Sequence, residues 1–252
     1  MMDLTDGSVV VTGGASGLGG ATVARLARRA ARVVILDRDE AKGEELAART
    51  GARFCATDVT DEAAVSAALE VALEGGPLRA AICCAGVGWA ARVVNREGKA
   101  HPLDLFAKVV QVNLVGTFNV ARLAAEAMAG QMPLPTGDRG ALVFTASIAG
   151  FEGQKGQAAY AASKAGVIGL VLPMARDLSS RGIRVVAVAP GTFSTPMLHG
   201  LKPEQVAALE AEVVHPSRLG EPEEFAAMVE TILDASYLNG TVVRLDGALR
   251  LG

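Results

Sequence analysis

Short runs of apolar, often β-branched residues recur along the chain, and longer amphipathic stretches separate them. In the stretches, apolar residues return every three or four positions, as Val65, Leu69 and Leu73 do, which is typical of a helix with one buried face. Seven of the short runs have the length and composition of buried strands: 8–12, 32–36, 52–56, 80–86, 141–145, 183–188 and 241–245. Strands that alternate with helices predict an α/β fold with a doubly wound, Rossmann-type, parallel seven-stranded sheet.

The chain shows no internal repeat, no low-complexity tract and no break in composition. Its 252 residues are sufficient for one large core, and the hydrophobic half of the composition can fill it. We therefore expect a single domain over residues 1–252.

A glycine-rich turn joins the first predicted strand to the first helix. Gly13, Gly17 and Gly19 would allow a tight turn, close approach of a pyrophosphate to the backbone, and packing of the helix on the strand. The helix N-terminus that follows presents free N–H groups and a positive dipole end to an anion. The Gly-x-x-x-Gly-x-Gly spacing differs from the general G-x-G-x-x-G fingerprint, so a purely structural turn is an equal alternative for this string alone.

Two acidic residues follow the second and third predicted strands. Asp37 lies about 20 residues beyond the glycines, where a carboxylate can hold the adenosine ribose hydroxyls. A carboxylate there also repels a 2′-phosphate and so favours NAD over NADP, although the neighbouring Arg38 could bind that phosphate. Asp58, followed by Val59, is either an adenine contact or a turn residue.

Tyr160 and Lys164 lie four residues apart in a predicted helix and therefore share one face of it. A nearby ammonium group favours the phenolate and lowers the pKa of a tyrosine, so the pair can transfer a proton at a substrate oxygen. The spacing is common, and a surface lysine beside a half-buried tyrosine is the alternative for the motif alone.

Two further polar residues are candidates for the same chemistry. Ser147 follows the fifth predicted strand, where its hydroxyl can hydrogen-bond a substrate carbonyl or simply form a turn. Asn113 lies among apolar residues in a long helical stretch, 102–128, where a buried amide needs partners; it either bends the helix or holds a water linked to Lys164. His199 and His215 lie in an excursion after the sixth strand, 193–219, which is a candidate lid, and we interpret them as loop histidines.

Several candidates follow the carboxyl ends of the predicted strands, which meet at one edge of a parallel sheet. They are Gly13–Gly19, Asp37, Asp58, Cys84, Ser147 and Pro190-Gly191. We expect residues 1–150 mainly to bind a dinucleotide, and residues 151–252 to supply the catalytic helix, the substrate loop and the last strand. Hydride transfer is the reaction that uses these parts together.

Composition excludes several other classes of protein. A net charge of −3 with dispersed acids and bases does not suggest a nucleic-acid partner. The three cysteines, two of them adjacent, form neither a disulfide framework nor a zinc spacing, which favours a reducing, cytoplasmic location and no metal site. We expect no apolar run to reach the length of a membrane span.

The chain resembles the short-chain dehydrogenases/reductases over its whole length. Thr12-Gly13-x-x-x-Gly17-x-Gly19, Asn113, Ser147 and Tyr160-x-x-x-Lys164 occur in the order of that family. A narrower resemblance, to a branch that oxidises 3-hydroxyacyl-CoA, rests on Phe151-Glu152-Gly153-Gln154 and on Cys84 before Ala85-Gly86.

The resemblance implies a role for each matched residue. Tyr160 would be the general acid/base, Lys164 would lower its pKa and bind the nicotinamide ribose, Ser147 would bind the substrate oxygen, and Asn113 would support a water-mediated proton relay. Besides Gly13, Gly19, Tyr160 and Lys164, the residues implied to line NAD are Ser16, Leu18, Asp37, Asp58, Val59, Cys84, Phe193 and Thr195.

The implied reaction is the interconversion of a 3-hydroxyacyl-CoA and a 3-oxoacyl-CoA with NAD. A 3-oxoacyl reductase, or a dehydrogenase of hydroxysteroids or other secondary alcohols, is the alternative within the family. An assembly or RNA-processing subunit is the non-enzymatic alternative. The resemblance also implies a homotetramer that assembles through long helices rich in small residues.

Overall fold

A computed structural model describes residues 1–198 and 203–251 of the chain. The strands are β1 (Ser8–Thr12), β2 (Arg32–Asp37), β3 (Arg53–Ala56), β4 (Leu78–Cys83), β5 (Gly140–Thr145), β6 (Ile183–Pro190) and β7 (Thr241–Leu245). The helices are α1 (Gly17–Leu26), α2 (Glu40–Thr50), α3 (Glu62–Leu73), α4 (Leu103–Val110), α5 (Thr117–Ala129), α6 (Ala158–Asp177), α7 (Pro203–Ala211) and α8 (Pro222–Asp234).

The strands form one parallel sheet in the order β3-β2-β1-β4-β5-β6-β7. The order reverses between β1 and β4, because the first three strands progress in one direction and the last four in the other. In open sheets of this kind ligands bind beyond the carboxyl ends of the strands at such a reversal. The predicted seven-stranded, doubly wound sheet is confirmed.

The sheet separates two hydrophobic cores. Val10 and Val34 point to the face covered by α3, α5 and α6, whereas their neighbours Val9, Val11 and Val33 point to the face covered by α1, α2 and α8. This alternation follows from the two-residue period of a strand. Because both faces are covered, the strands are apolar almost throughout.

Several element boundaries differ from those expected. β4 begins two residues before the predicted strand, at Leu78, and ends at Cys83. The stretch 102–128, predicted as one helix, contains a π-helical segment, Gln111–Gly116, between α4 and α5. Asp61 is the N-cap of α3, since its carboxylate accepts hydrogen bonds from the backbone N–H groups of the helix's first turn.

The expectation that no apolar stretch reaches the length of a membrane span is wrong for α6. This helix is 20 residues long with a mean hydropathy of 1.4, which satisfies the length and composition of a span. A core helix of a sheet protein meets the same criteria, because one of its faces is apolar and its small residues raise the average. α6 packs on β6 and α4 and carries Tyr160 and the buried Lys164.

Candidate active site

A cleft of about 830 Å³ opens at the carboxyl edge of the sheet, across the reversal in strand order. Ser147 and every residue predicted to contact the cofactor line it: Gly13, Ser16, Leu18, Gly19, Asp37, Asp58, Val59, Cys84, Tyr160, Lys164, Phe193 and Thr195. The structure therefore brings the predicted cofactor residues of the first half of the chain into the same cleft as Tyr160, Lys164, Phe193 and Thr195 of the second half.

The glycine turn shapes one end of the cleft. Gly13 and Gly17 have φ values of 61° and 53°, which an L side chain rarely adopts. A Cβ on Gly19 would lie 2.2 Å from the carbonyl oxygen of Gly13, so only glycine allows α1 to approach β1 this closely. Ser16, the N-cap of α1, makes no side-chain capping bond, and the first turn carries no acidic residue. The N–H groups of this turn thus remain available to an anion, which fits the pyrophosphate of a dinucleotide.

Asp37, for which a cap or turn role is the alternative to a cofactor contact, has a structural role at the end of β2. Its Oδ2 accepts a hydrogen bond from the backbone N–H of Ala15 (3.0 Å), and its Oδ1 accepts from Arg38 N (2.7 Å) and Asp39 N (3.0 Å). The carboxylate therefore ties the glycine turn to the end of β2. A carboxylate offers about four lone-pair sites, so one remains on Oδ2 for a ribose hydroxyl.

Asp58 and Arg38 lie next to each other in the cleft wall. Asp58 Oδ1 accepts hydrogen bonds from Thr60 N (2.9 Å) and Thr60 Oγ1 (2.7 Å), and its Oδ2 lies 3.7 Å from Arg38 Nη1. The Thr60 hydrogen bonds lower the pKa of Asp58, and the Arg38 charge lowers it further. Asp58 is thus both a turn residue and a cleft residue, and its charge partly offsets that of the exposed Arg38 guanidinium.

Ser147, Tyr160 and Lys164 meet at the centre of the cleft. Ser147 Oγ accepts a hydrogen bond from Ala149 N (3.1 Å), which fixes the hydroxyl at the start of the short 3-10 helix Ile148–Gly150. The Ser147 hydroxyl acts on the Tyr160 phenol and favours its ionised form. Lys164 Nζ donates to the carbonyl oxygen of Thr145 (2.7 Å) and lies 5.8 Å from the centre of the Tyr160 ring.

Burial dominates the ionisation of both titratable groups. Burial raises the pKa of Tyr160, and the Ser147 hydroxyl opposes that shift only in part. Burial also lowers the pKa of Lys164 to about 8, against the opposing influence of Cys84 and Cys83. The expected lowering of the Tyr160 pKa by Lys164 stays a prediction.

Asn113 lies in the π-helical segment and is completely buried, but it does not line the cleft. Its Oδ1 accepts from Val87 N (2.8 Å), and its Nδ2 donates to Val87 O (2.9 Å) and to Ser163 Oγ (3.0 Å). These bonds fix the chain after β4 against α6. The alternative that Asn113 distorts the helix is supported, and Lys164 is not a direct partner of its amide. Its role in a proton relay stays a prediction.

The loop after β6 closes the cleft over the glycine turn. Phe193 is buried and forms a bridge with Gly220, and a Cβ on Gly17 would lie 3.6 Å from Thr195 Cβ. Cys84 accepts a hydrogen bond from Thr145 Oγ1 (3.3 Å), and burial raises the pKa of its thiol to about 11, which makes it an inert packing residue.

Of the two histidines of the excursion, His215 does not line the cleft, and its backbone N–H donates to Gly247 O (3.1 Å). His199 lies outside the described residues. Among residues 1–198 and 203–251, no group of three or more possible metal ligands occurs. The cleft wall includes Leu198 and Leu209 of the excursion predicted as a candidate lid, and also Gln154, Gln157 and Leu251, which were not predicted as site residues.

A family model described as short chain dehydrogenase matches residues 8–206. The chain belongs to the short-chain dehydrogenase family. It is 49% identical over 247 residues to 3-hydroxyacyl-CoA dehydrogenase type-2 of Drosophila melanogaster, with 96% of each chain covered. It is 48% identical over 246 residues to the Bos taurus protein of the same name, with 96% of this chain and 94% of that one covered.

A solved structure of 3-hydroxyacyl-CoA dehydrogenase type-2 from Mycobacterium avium superposes with a TM-score of 0.96 at 49% identity. The superposition covers 99% of this chain and 98% of that one. The protein is thus an oxidoreductase of the short-chain dehydrogenase family, and its fold matches that of the solved relative over almost the whole chain.

Proposed function

We propose that this short-chain dehydrogenase catalyses the reversible oxidation of a 3-hydroxyacyl-CoA to the 3-oxoacyl-CoA with NAD. The observation that carries the proposal is the meeting of Ser147, Tyr160 and Lys164 in the same cleft as the open N-terminus of α1. The names of the relatives support the substrate class.

The protein's residues would share the work as follows. Ser147 would hydrogen-bond the substrate oxygen and hold it beside the Tyr160 hydroxyl, which removes the alcohol proton in oxidation and returns it in reduction. NAD, when bound, supplies the hydride acceptor at the neighbouring carbon. Lys164 has three donors, of which one goes to Thr145 O, so two remain for ribose hydroxyls.

The preference for NAD over NADP is supported by the charges at the end of β2. Asp37 presents a carboxylate to the cleft, and the guanidinium of Arg38 is near Asp58 rather than free. Residues 13–19 contain no Lys or Arg that could bind a 2′-phosphate. A 2′-phosphate would therefore meet net negative charge at this position.

We also propose a homotetramer in the cytoplasm. Val115, Phe118 and Leu172 are large apolar side chains, each more than 40% exposed, on the outer side of the helical layer formed by α5 and α6. A groove of about 510 Å³ runs between these helices. The three free cysteines suit a reducing compartment. Light scattering would measure the mass, and Phe118→Glu should reduce it if this face is the interface.

The experiment that tests the activity is NADH oxidation with acetoacetyl-CoA, run beside NADPH and beside Tyr160→Phe. We expect turnover with NADH, little with NADPH, and a loss on the order of 10²- to 10⁴-fold in the variant. NADH binding, followed by its fluorescence, should be retained by Tyr160→Phe. Near-normal turnover by the variant would remove Tyr160 from the mechanism. Binding of NADH without turnover of any acyl-CoA would reject the substrate class.

A further inference from the structure

Gln157 lies at the start of α6, three residues before Tyr160, and it lines the same cleft as Ser147 and Tyr160. It is the N-cap of the helix, and an N-cap residue and the residue three positions later lie on one side of the first turn. Helical residues at this spacing have Cβ atoms about 5–6 Å apart. A half-buried polar side chain, which proton exchange at the substrate oxygen does not use, is therefore the helical neighbour of Tyr160.

The side-chain amide of Gln157 has a fixed orientation. Its Oε1 accepts a hydrogen bond from the backbone N–H of Gln154 (3.0 Å), so the oxygen end of the amide faces the turn that precedes α6. The nitrogen end of the same planar group carries two donors and points away from that N–H. Within the part of the chain that the structure describes, Nε2 donates to no protein atom. These donors are therefore available to a molecule bound in the cleft.

The backbone around Gln157 is held from several directions. The N–H of Gln157 donates to Gln154 O (3.0 Å), and its carbonyl oxygen accepts from Ala161 N (2.7 Å) in the first turn of α6. The carbonyl of Gly156, whose φ is 86°, accepts a hydrogen bond from Ala91 N (2.8 Å) in the loop after β4. Gln157 thus has the rigid support that a residue needs to select between ligands.

We infer that Gln157 is a specificity-determining residue that donates a hydrogen bond from Nε2 to the second carbonyl of a 1,3-dicarbonyl substrate. The inference rests on the proposed function for the identity of that substrate, a 3-oxoacyl-CoA, whose thioester carbonyl is separated from the reacting ketone by one carbon atom. Ser147 and Tyr160 would bind the ketone oxygen. The thioester oxygen is the acceptor nearest to that ketone, whereas the carbon chain on the other side of the ketone accepts nothing.

The test compares acetoacetyl-CoA with S-(3-oxobutyl)-CoA, a thioether that has the same ketone and the same chain length but lacks the thioester carbonyl. Reduction by NADH is measured for the wild type, Gln157→Glu and Gln157→Met. Gln157→Glu retains an oxygen that can accept from Gln154 N and loses the donor, and Gln157→Met loses the donor without adding a charge. In both variants kcat/KM for acetoacetyl-CoA should fall on the order of tenfold, the size expected when one hydrogen bond to the substrate is lost.

The thioether separates a substrate contact from a structural role of Gln157. Its kcat/KM should change little in either variant, because it offers no acceptor to Nε2. An equal fall for both compounds would mean that Gln157 only supports the turn and would overturn the inference, as would wild-type rates in both variants. Gln111→Glu, the same change at an exposed glutamine outside the cleft, is the matched control and should keep both wild-type rates. Retained NADH fluorescence would show that each variant is folded.

Compounds without CoA distinguish failure of this inference from failure of the proposed function. If the wild type binds NADH but reduces neither CoA compound, the proposed function fails, and ethyl acetoacetate and cyclohexanone repeat the comparison. The Gln157 variants should then lose activity with ethyl acetoacetate, which has the second carbonyl, and keep it with cyclohexanone, which does not. If the wild type reduces no 1,3-dicarbonyl compound, the inference fails as well.

Discussion

Lys164 should make the stability of the protein depend on pH in a range where most lysines have no effect. Its side chain is 5% exposed, its ammonium has Thr145 O as a hydrogen-bond partner, and burial lowers its pKa from 10.5 to about 8. Between these two values the unfolded chain holds the proton and the folded protein does not. Because the unfolded state binds more protons, the free energy of unfolding must rise with pH across this window.

The size of the effect follows from the shift. A difference of 2.5 units (10.5 minus 8), at about 1.36 kcal/mol per unit, corresponds to about 3 kcal/mol. The contribution is complete above pH 10.5 and is lost as the pH falls through 8. Burial of Cys84 acts in the opposite sense at higher pH, because its raised pKa keeps the folded thiol protonated while the unfolded thiol ionises. The two effects must therefore be separated by a variant.

Urea unfolding of the wild type and of Lys164→Met, between pH 7 and 10.5 and at one protein concentration, separates them. Both proteins contain the thiols, so the thiol contribution largely cancels in the difference between the two free energies of unfolding. Relative to Lys164→Met, the wild type should gain about 3 kcal/mol as the pH rises from 8 to 10.5. A difference that stays constant over this range would refute the depressed pKa of Lys164.

Three other predictions concern the cofactor end and the interior of the cleft. Asp58→Asn should release Arg38 and improve kcat/KM with NADPH relative to NADH, and an unchanged ratio would contradict a restraining role for the pair. Gly19→Ala should abolish NADH binding measured by fluorescence, because its Cβ would overlap the neighbouring turn, whereas Gly130→Ala, with nothing within 4 Å, should bind normally. Asn113→Leu should lower the free energy of unfolding in urea by roughly 1.5–4.5 kcal/mol, since three hydrogen bonds, to Val87 N, Val87 O and Ser163 Oγ, are lost at about 0.5–1.5 kcal/mol each. A smaller loss would mean that water replaces the amide.

The strands and the cleft could be predicted because their signals are local in the chain. A buried strand such as β6 is recognised as a continuous apolar run. The turn at Gly13 and Gly19 is recognised by its glycines, because a Cβ at either position would overlap neighbouring backbone atoms. Parallel strands bring their carboxyl ends to one edge, so residues as distant as Asp37 and Ser147 could be assigned to one cleft from topology alone.

The features that escaped prediction depend on contacts between distant segments. The π-helical segment at Asn113 is stabilised by Val87 and Ser163, which lie 26 and 50 residues away in the chain. The ion pair between Arg244 and Glu152 joins residues that lie 92 positions apart. The pKa of Tyr160 depends on how deeply the folded chain buries it, whereas the spacing to Lys164 reports only the charge. No periodicity in the sequence records such contacts.

Burial of Tyr160 and Lys164 also bears on how one site can work in both directions. In the protein alone, burial drives both groups toward their neutral forms, so under the proposed function Tyr160 would hold a proton for a ketone. Reduced nicotinamide is neutral and would leave that state unchanged, which suits reduction. Oxidised nicotinamide carries a positive charge, and a cation near a phenol favours its ionisation. Under the proposed function, Tyr160 would therefore be a better base when the oxidised cofactor is bound than when the reduced cofactor is bound.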